Sequence, residues 1–265
     1  NYYRLSAYFL PFQYPKNSEN KNKFLPDTTF ENIIKLYYFD TELRKIIFEA
    51  IEVIEIYLRT QIAYHHAKSY DAFGYLDIST LRTNKQIEFD ELRQDILKEK
   101  ERSKEVFIRH FKNKYKTTDL PIWTVVEIIS FGSLSKLFML LQEKEQNEVI
   151  SSMGEINKVV FFKWFKALSS VRNACAHHSR LWNKTLGVSF EVPRKNEFFE
   201  ELSNSKNKIF FALTVIEYIL TCIGEDEIGF KNKIKSLLEK YPQIDIQKMG
   251  FIQNWENNPI WRDNE

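Results

Sequence analysis

Asp40-Thr41-Glu42-Leu43-Arg44-Lys45-Ile46-Ile47-Phe48-Glu49-Ala50-Ile51-Glu52-Val53-Ile54-Glu55-Ile56-Tyr57-Leu58 is the stretch that decides the fold. Its apolar residues Leu43, Ile46, Ile47, Ala50, Ile51, Ile54 and Leu58, continued by Ile62, recur at steps of three and four. That spacing puts them along one face of an α-helix and not on alternate faces of a strand. It predicts a long amphipathic helix over about residues 41–67, with Asp40 as its N-cap. Upstream, Thr28 and Glu31 stand in capping-box register. The Thr oxygen and the Glu carboxylate can each satisfy an orphan N–H of a first helical turn, so an earlier helix is expected to start there.

The helical period continues down the chain. Residues 85–115 are heavily charged, with a thin apolar stripe through Ile87, Leu92, Ile96, Val106 and Phe111, and are expected to lie on the surface or project. Pro121 opens a helix through Ile122, Trp123 and Glu127 that is expected to pause at Gly132 and resume at Ser133. Asn157 is placed to cap a helix running through Phe165 and Leu168 to about His178, and two more are expected over 206–223 and 227–241, the last stopped by Pro242. Glycine and proline each appear only 7 times in 265 residues, and no two glycines form a GxG. A phosphate-cradling loop of the Rossmann or Walker type is therefore excluded. The expectation is a single all-α domain over 1–265, a helical bundle with additional peripheral helices. Two cysteines, Cys175 and Cys222, exclude a disulfide framework and a four-cysteine zinc site, which fits a reducing cytoplasm. No apolar run approaches the roughly 20 residues of a membrane span. The opening on Asn1 instead of methionine predicts that an N-terminal piece is missing.

The formal charge of +2 hides an asymmetry. Between Glu155 and Glu191 there is no acid, yet Lys158, Lys163, Lys166, Arg172, Arg180 and Lys184 all fall there, so the rest of the chain carries (38 − 6) − 36 = −4. Within this segment Arg172-Asn173-Ala174-Cys175-Ala176-His177-His178-Ser179-Arg180-Leu181-Trp182-Asn183 gathers a fixed cation, a hydrogen-bonding amide and groups that titrate near neutral pH. On a helix Asn173 and His177 share a face one turn apart, and the long Arg172 side chain can bend toward the same rim. RNA cleavage without a metal asks for that set: a base for the 2′-OH, an acid for the leaving 5′-oxygen and a cation for the phosphorane-like transition state. The same residues also make an ordinary hydrogen-bonded helix end, with histidines beside its carbonyls.

Arg172-Asn173-x-x-Ala176-His177 resembles the R-x4-6-H signature of HEPN ribonucleases. The longer string through Asn183 resembles the hallmark of the Abi-like (abortive infection, AbiD/AbiF type) bacterial defence proteins. Tyr2-Tyr3-Arg4-Leu5-Ser6-Ala7-Tyr8, Phe39-Asp40-x-x-Leu43-Arg44 with Glu55 and Arg59, and Pro121-Ile122-Trp123 leading to Glu127 and Ser130-Phe131-Gly132 are similar to that family's other blocks, in the same order. The resemblance implies a HEPN-like all-helical fold, a homodimer whose two Arg/His motifs meet in a composite cleft, and metal-independent RNase activity in antiphage defence, with no cofactor. Carried over, Arg172 and His177 are the catalytic positions and Asn173 orients them. His178 also satisfies the spacing, so either histidine can face the cleft.

Further candidates surround the motif. Arg180 and Lys184, together with Arg109 and Lys112 in the cation-rich Arg109-His110-Phe111-Lys112-Asn113-Lys114-Tyr115-Lys116, are candidate RNA contacts, because interleaved cations and rings bind phosphates and stack bases. A solvated lysine-rich helix end has the same composition. His65-His66 has no carboxylate at i+4, which argues against a metal. Glu55 and Arg59 read as a helix ion pair, to which the resemblance allows a role beneath the active site. Cys175 has no partner that would make it a nucleophile. The alternatives to a ribonuclease are a non-catalytic module holding a structured or antisense RNA, and a toxin held inactive by an antitoxin or regulatory RNA.

Overall fold

The computed structural model describes residues 2–15, 17–82, 86–115, 119–194 and 196–262. A short α1, Tyr2–Ser6, precedes the loop that leads into the central helix. No glycine or proline falls between Pro26 and Gly74, so nothing stops a helix once it has begun. The two helices expected here are accordingly one: α2, Phe30–Tyr70, 41 residues and about 60 Å long. Its cap is Thr29, whose hydroxyl accepts the Asn32 N–H at 3.2 Å, one residue after the Thr28 named from the sequence. Asp40 is no cap. It lies inside α2 and is fully buried, because the stripe Ile33-Leu36-Phe39-Leu43-Ile47 runs past it.

Eight of the nine remaining helices pack around or beyond this one: α3 Gln86–Arg102, α4 Val106–Tyr115, α5 Ile122–Ile128, α6 Phe131–Leu140, α7 Glu143–Val149, α8 Lys158–Ala176, α10 Ile209–Ile223 and α11 Phe230–Lys240. The ninth, α9 Glu197–Glu200, is a single turn. Helix α2 contacts α5, α6, α7, α8, α10 and α11, while α8 lies against α2, α6 and α10. The described residues form no β-strand, only a lone bridge between Gln13 and Phe24. Buried apolar side chains from Tyr8 to Trp261 make one contiguous cluster. No helix among the described residues is long and apolar enough to cross a membrane.

Several boundaries moved, each for a local reason. Lys85, where the charged segment was expected to start, lies outside the described residues. That segment is two helices, α3 and α4, and it rests on α5 and α6 through Phe89, Leu92 and Ile96; Ile87 and Val106 face solvent instead. The pause before α6 falls at Ser130 and not Gly132, because the Ser130 hydroxyl caps the helix by accepting the Ser133 N–H at 3.0 Å. Helix α7 was not anticipated from sequence. Gln142 and Glu145 build its capping box. Helix α11 starts at Phe230 because Gly229 takes a left-handed conformation, φ 62°, immediately before it.

Candidate active site

Helix α8 begins where the sequence places it. The Asn157 side chain accepts the N–H groups of Val159 and Val160 at 3.0 and 3.1 Å. Val160, Phe161, Trp164, Phe165, Leu168, Val171 and Cys175 are then buried, which turns Asn173, Ala176 and His177 outward. The helix stops at Ala176 in a Schellman turn. The Ser179 N–H reaches the Ala174 carbonyl at 2.8 Å, the His178 N–H reaches that of Cys175 at 3.0 Å, and His178 is left-handed at φ 55°. His177 is the C-cap, its N–H still bonded to the Asn173 carbonyl at 2.9 Å. Asn173 and His177 thus stay one exposed turn apart, as their spacing requires, whereas His178 leaves the helix.

Arg172 turns toward α2. Its Nε lies 3.4 Å from Glu55 Oε2 and its guanidinium 5.5 Å from the Phe48 ring. With Phe48, Glu52, Glu55, Arg59 and Glu127 it lines a cleft of about 160 Å³. Glu55 also pairs with Arg59, which donates to the Ile129 carbonyl at 3.0 Å. Arg172 Nε is buried and has no hydrogen-bond partner of good geometry, only the ion pair with Glu55. Among the described residues no hydrogen bond or ion pair joins Arg172 to His177 or His178.

Folding supplies acids that the acid-free segment lacks. Lys158 pairs with Glu143, Lys163 with Glu191 at 2.6 Å and Arg172 with Glu55, so half of the six positive charges are matched. The isolated cationic element read along the chain is therefore partly neutralised in three dimensions. Lys166 and Lys184 make no ion pair among the described residues. Arg180 donates a guanidinium N–H to the Ala7 carbonyl and is half-buried. Arg109 stands exposed on α4, where Lys114 lies 5.2 Å from the Tyr115 ring and Tyr115 packs on Phe111. The Lys112 side chain and Lys116 lie outside the described residues.

The residue that sequence reasoning placed wrongly is Asp40. Its carboxylate accepts the Tyr8 hydroxyl at 2.6 Å, the Leu181 N–H at 3.1 Å and the Trp182 N–H at 2.7 Å, and pairs with Arg44. Arg44 in turn reaches the Ser179 carbonyl at 3.4 Å. Burial pushes the Asp40 carboxyl up from its ordinary range, while Tyr8, Arg44 and the two backbone N–H groups pull it down. A signal was present: Asp40 falls on the apolar stripe of α2, four residues before an arginine. His66 is a second such interruption. Its Nδ1 lies 2.8 Å from Glu145 Oε1, both groups fully buried, and His65 stands 3.2 Å from Glu148. Both carboxylates come from α7, so no i+4 search on α2 finds them. Burial raises the Cys175 thiol to about 12, which makes it inert.

A family model described as Abi-like protein matches residues 1–183. No curated protein and no solved structure matches the chain significantly. The matched span holds Tyr8, Asp40, Arg44, Glu55, Arg59 and the whole turn after α8, and leaves out α10 and α11.

Proposed function

The chain belongs to the Abi-like family, and from that premise we propose that it is a metal-independent endoribonuclease of an abortive-infection system, acting as a homodimer. The observation that carries this reading is the end of α8. One helix terminus presents Asn173 and His177 to solvent and sends the neighbouring, half-exposed Arg172 to a cleft. In the proposed reaction the ribose 2′-OH attacks the adjacent phosphorus and the 5′-oxygen leaves. The products are a 2′,3′-cyclic phosphate and a 5′-hydroxyl. His177 moves the proton, Arg172 faces the charge that grows on the phosphate oxygens, and Asn173 orients the pair. Two copies of the motif, one from each protomer, supply one histidine as base and the other as acid. Arg109, Lys112, Arg180 and Lys184 are the proposed RNA contacts, with His178 as the alternative catalytic histidine.

One observation favours a second reading. Arg172 shares its charge with Glu55 inside a cleft that also holds Glu52 and Glu127, a weaker phosphate clamp than a lone guanidinium. On this reading the chain holds RNA without cutting it. Incubating RNA with wild type, Arg172→Ala and His177→Ala in the presence of EDTA separates the two. The ribonuclease reading expects cleavage by wild type alone, ending in cyclic phosphates. Equal cleavage by all three proteins, or cleavage abolished by EDTA, overturns it. Intact RNA bound by wild type and released by the variants supports the second.

A further inference from the structure

We infer that Asp40 and Tyr8 are positioning residues for the histidine turn: a buried clamp centred on the Asp40 carboxylate fixes residues 179–182 and thereby sets the direction in which His177 and His178 leave α8. The inference rests on the proposed function only in treating that turn as the working end of the site.

The turn's own Schellman bonds, from the His178 and Ser179 N–H groups, fix only its start. The turn is bounded by two non-glycine residues in the left-handed region, His178 at φ 55° and Asn183 at φ 50°, each at a cost on the order of 1 kcal/mol. Such backbone persists only where its surroundings over-determine it. Here four consecutive residues are each held by a group outside α8. The Ser179 carbonyl takes Arg44, Arg180 reaches back to the Ala7 carbonyl, and the N–H groups of Leu181 and Trp182 both end on Asp40.

Three of these four contacts converge on the Asp40 carboxylate, two directly and the Ser179 contact through Arg44. The carboxylate receives four donors, Tyr8 Oη–H, Arg44 and the two N–H groups, which is the full capacity of two ionised oxygens. An amide in its place offers one oxygen and turns an NH2 toward donors, so at least one buried N–H loses its acceptor. The clamp also joins three distant pieces of sequence: the segment after α1, the second turn of the core stripe on α2, and the loop after α8. Among the described residues no hydrogen bond or ion pair joins Asp40 or Tyr8 to either histidine side chain; they act through backbone. A general acid or base displaced by about 1 Å loses on the order of a hundredfold in rate, so this hold on the backbone has a catalytic consequence.

Tyr8→Phe removes one hydrogen bond, and Asp40→Asn removes the charge and an acceptor. In both variants the imidazole NMR signals of His177 and His178 are expected to move, while those of His65, His66 and His110 stay in place, a selectivity that general loosening of the fold does not produce. In RNA cleavage, kcat is expected to fall several-fold for Tyr8→Phe and by about a hundredfold for Asp40→Asn, with KM within twofold of wild type. Unmoved His177 and His178 signals in a folded variant overturn the inference. If Asp40→Asn does not fold, Tyr8→Phe decides. Absence of cleavage by wild type overturns the proposed function and leaves the NMR comparison as the deciding readout for the clamp.

Discussion

Helix α2 carries the same local device twice, an acid four residues ahead of an arginine, and the two copies have opposite fates. At Asp40–Arg44 both side chains are almost wholly removed from solvent, and every donor around the carboxylate has found it. At Glu55–Arg59 both side chains are also largely buried, but the pair borders a cleft and shares its carboxylate with Arg172, whose buried Nε makes the ion pair without a hydrogen bond of good geometry. Nothing within α2 makes this difference. It comes from α8 and the loop that follows it: the loop brings the Leu181 and Trp182 N–H groups to the first pair, and α8 brings the Arg172 guanidinium to the second. A carboxylate saturated by backbone has one arrangement and fixes a loop. A carboxylate shared between the fixed Arg59 and the half-exposed Arg172 leaves the second cation less tightly held, and an incoming phosphate can compete for Arg172.

The comparison breaks most sharply in stability. Asp40→Ala leaves the Arg44 guanidinium buried without its anion and two loop N–H groups without an acceptor, which is expected to cost about 3–5 kcal/mol. Glu55→Ala leaves Arg59 still bonded to the Ile129 carbonyl and Arg172 half-exposed at the cleft, so the loss expected is smaller, about 1–2 kcal/mol. Urea unfolding of the two variants tests the ranking, and equal losses would show the two pairs to be energetically alike.

A smaller effect is expected in binding. Glu55→Gln removes the charge that holds Arg172 and leaves its shape, so affinity for single-stranded RNA at low salt should rise a few-fold. The dependence on salt should steepen by about one released counterion. Fluorescence anisotropy over a salt series reads both quantities. Unchanged affinity and slope would remove Arg172 from the phosphate contacts.

The same contrast explains how much was legible in the sequence. Every apolar position named on the α2 stripe from Leu43 to Ile62 is buried except Ile46, which is half-buried, because a helical stripe is a local property. The Asn157 cap and the shared face of Asn173 and His177 were legible for the same reason. What escaped was whatever depended on a distant partner. Asp40 looks like an N-cap when only its neighbours are weighed, and becomes a loop anchor when Leu181 and Trp182 arrive from 141 and 142 residues away. The acid-free run from Glu155 to Glu191 gave a cationic element in one dimension, and Glu143 and Glu55 partly cancelled it from other helices. Helix α7 was missed because its seven residues are mostly polar and no apolar period announces it.

Cys175 offers the finest probe of the contrast, since it lies one turn above the Schellman bend and feels both Arg44 and Asp40. Burial is the main cause that lifts its thiol to about 12, so at pH 8 very little of it is the thiolate that reacts. Iodoacetamide in native buffer is therefore expected to label the half-buried Cys222 first and Cys175 very slowly, with both reacting freely in denaturant. Because the thiolate is the reactive form, the Cys175 rate should climb about tenfold for each unit of pH below 12 while the fold holds. Loosening the sealed pair should raise that rate and loosening the open pair should not: faster Cys175 labelling is expected in Asp40→Asn and wild-type labelling in Glu55→Gln, read by mass spectrometry of the cysteine peptides. Equal acceleration in both variants would mean that the two pairs are one cooperative unit and that the distinction between them holds only in the resting geometry.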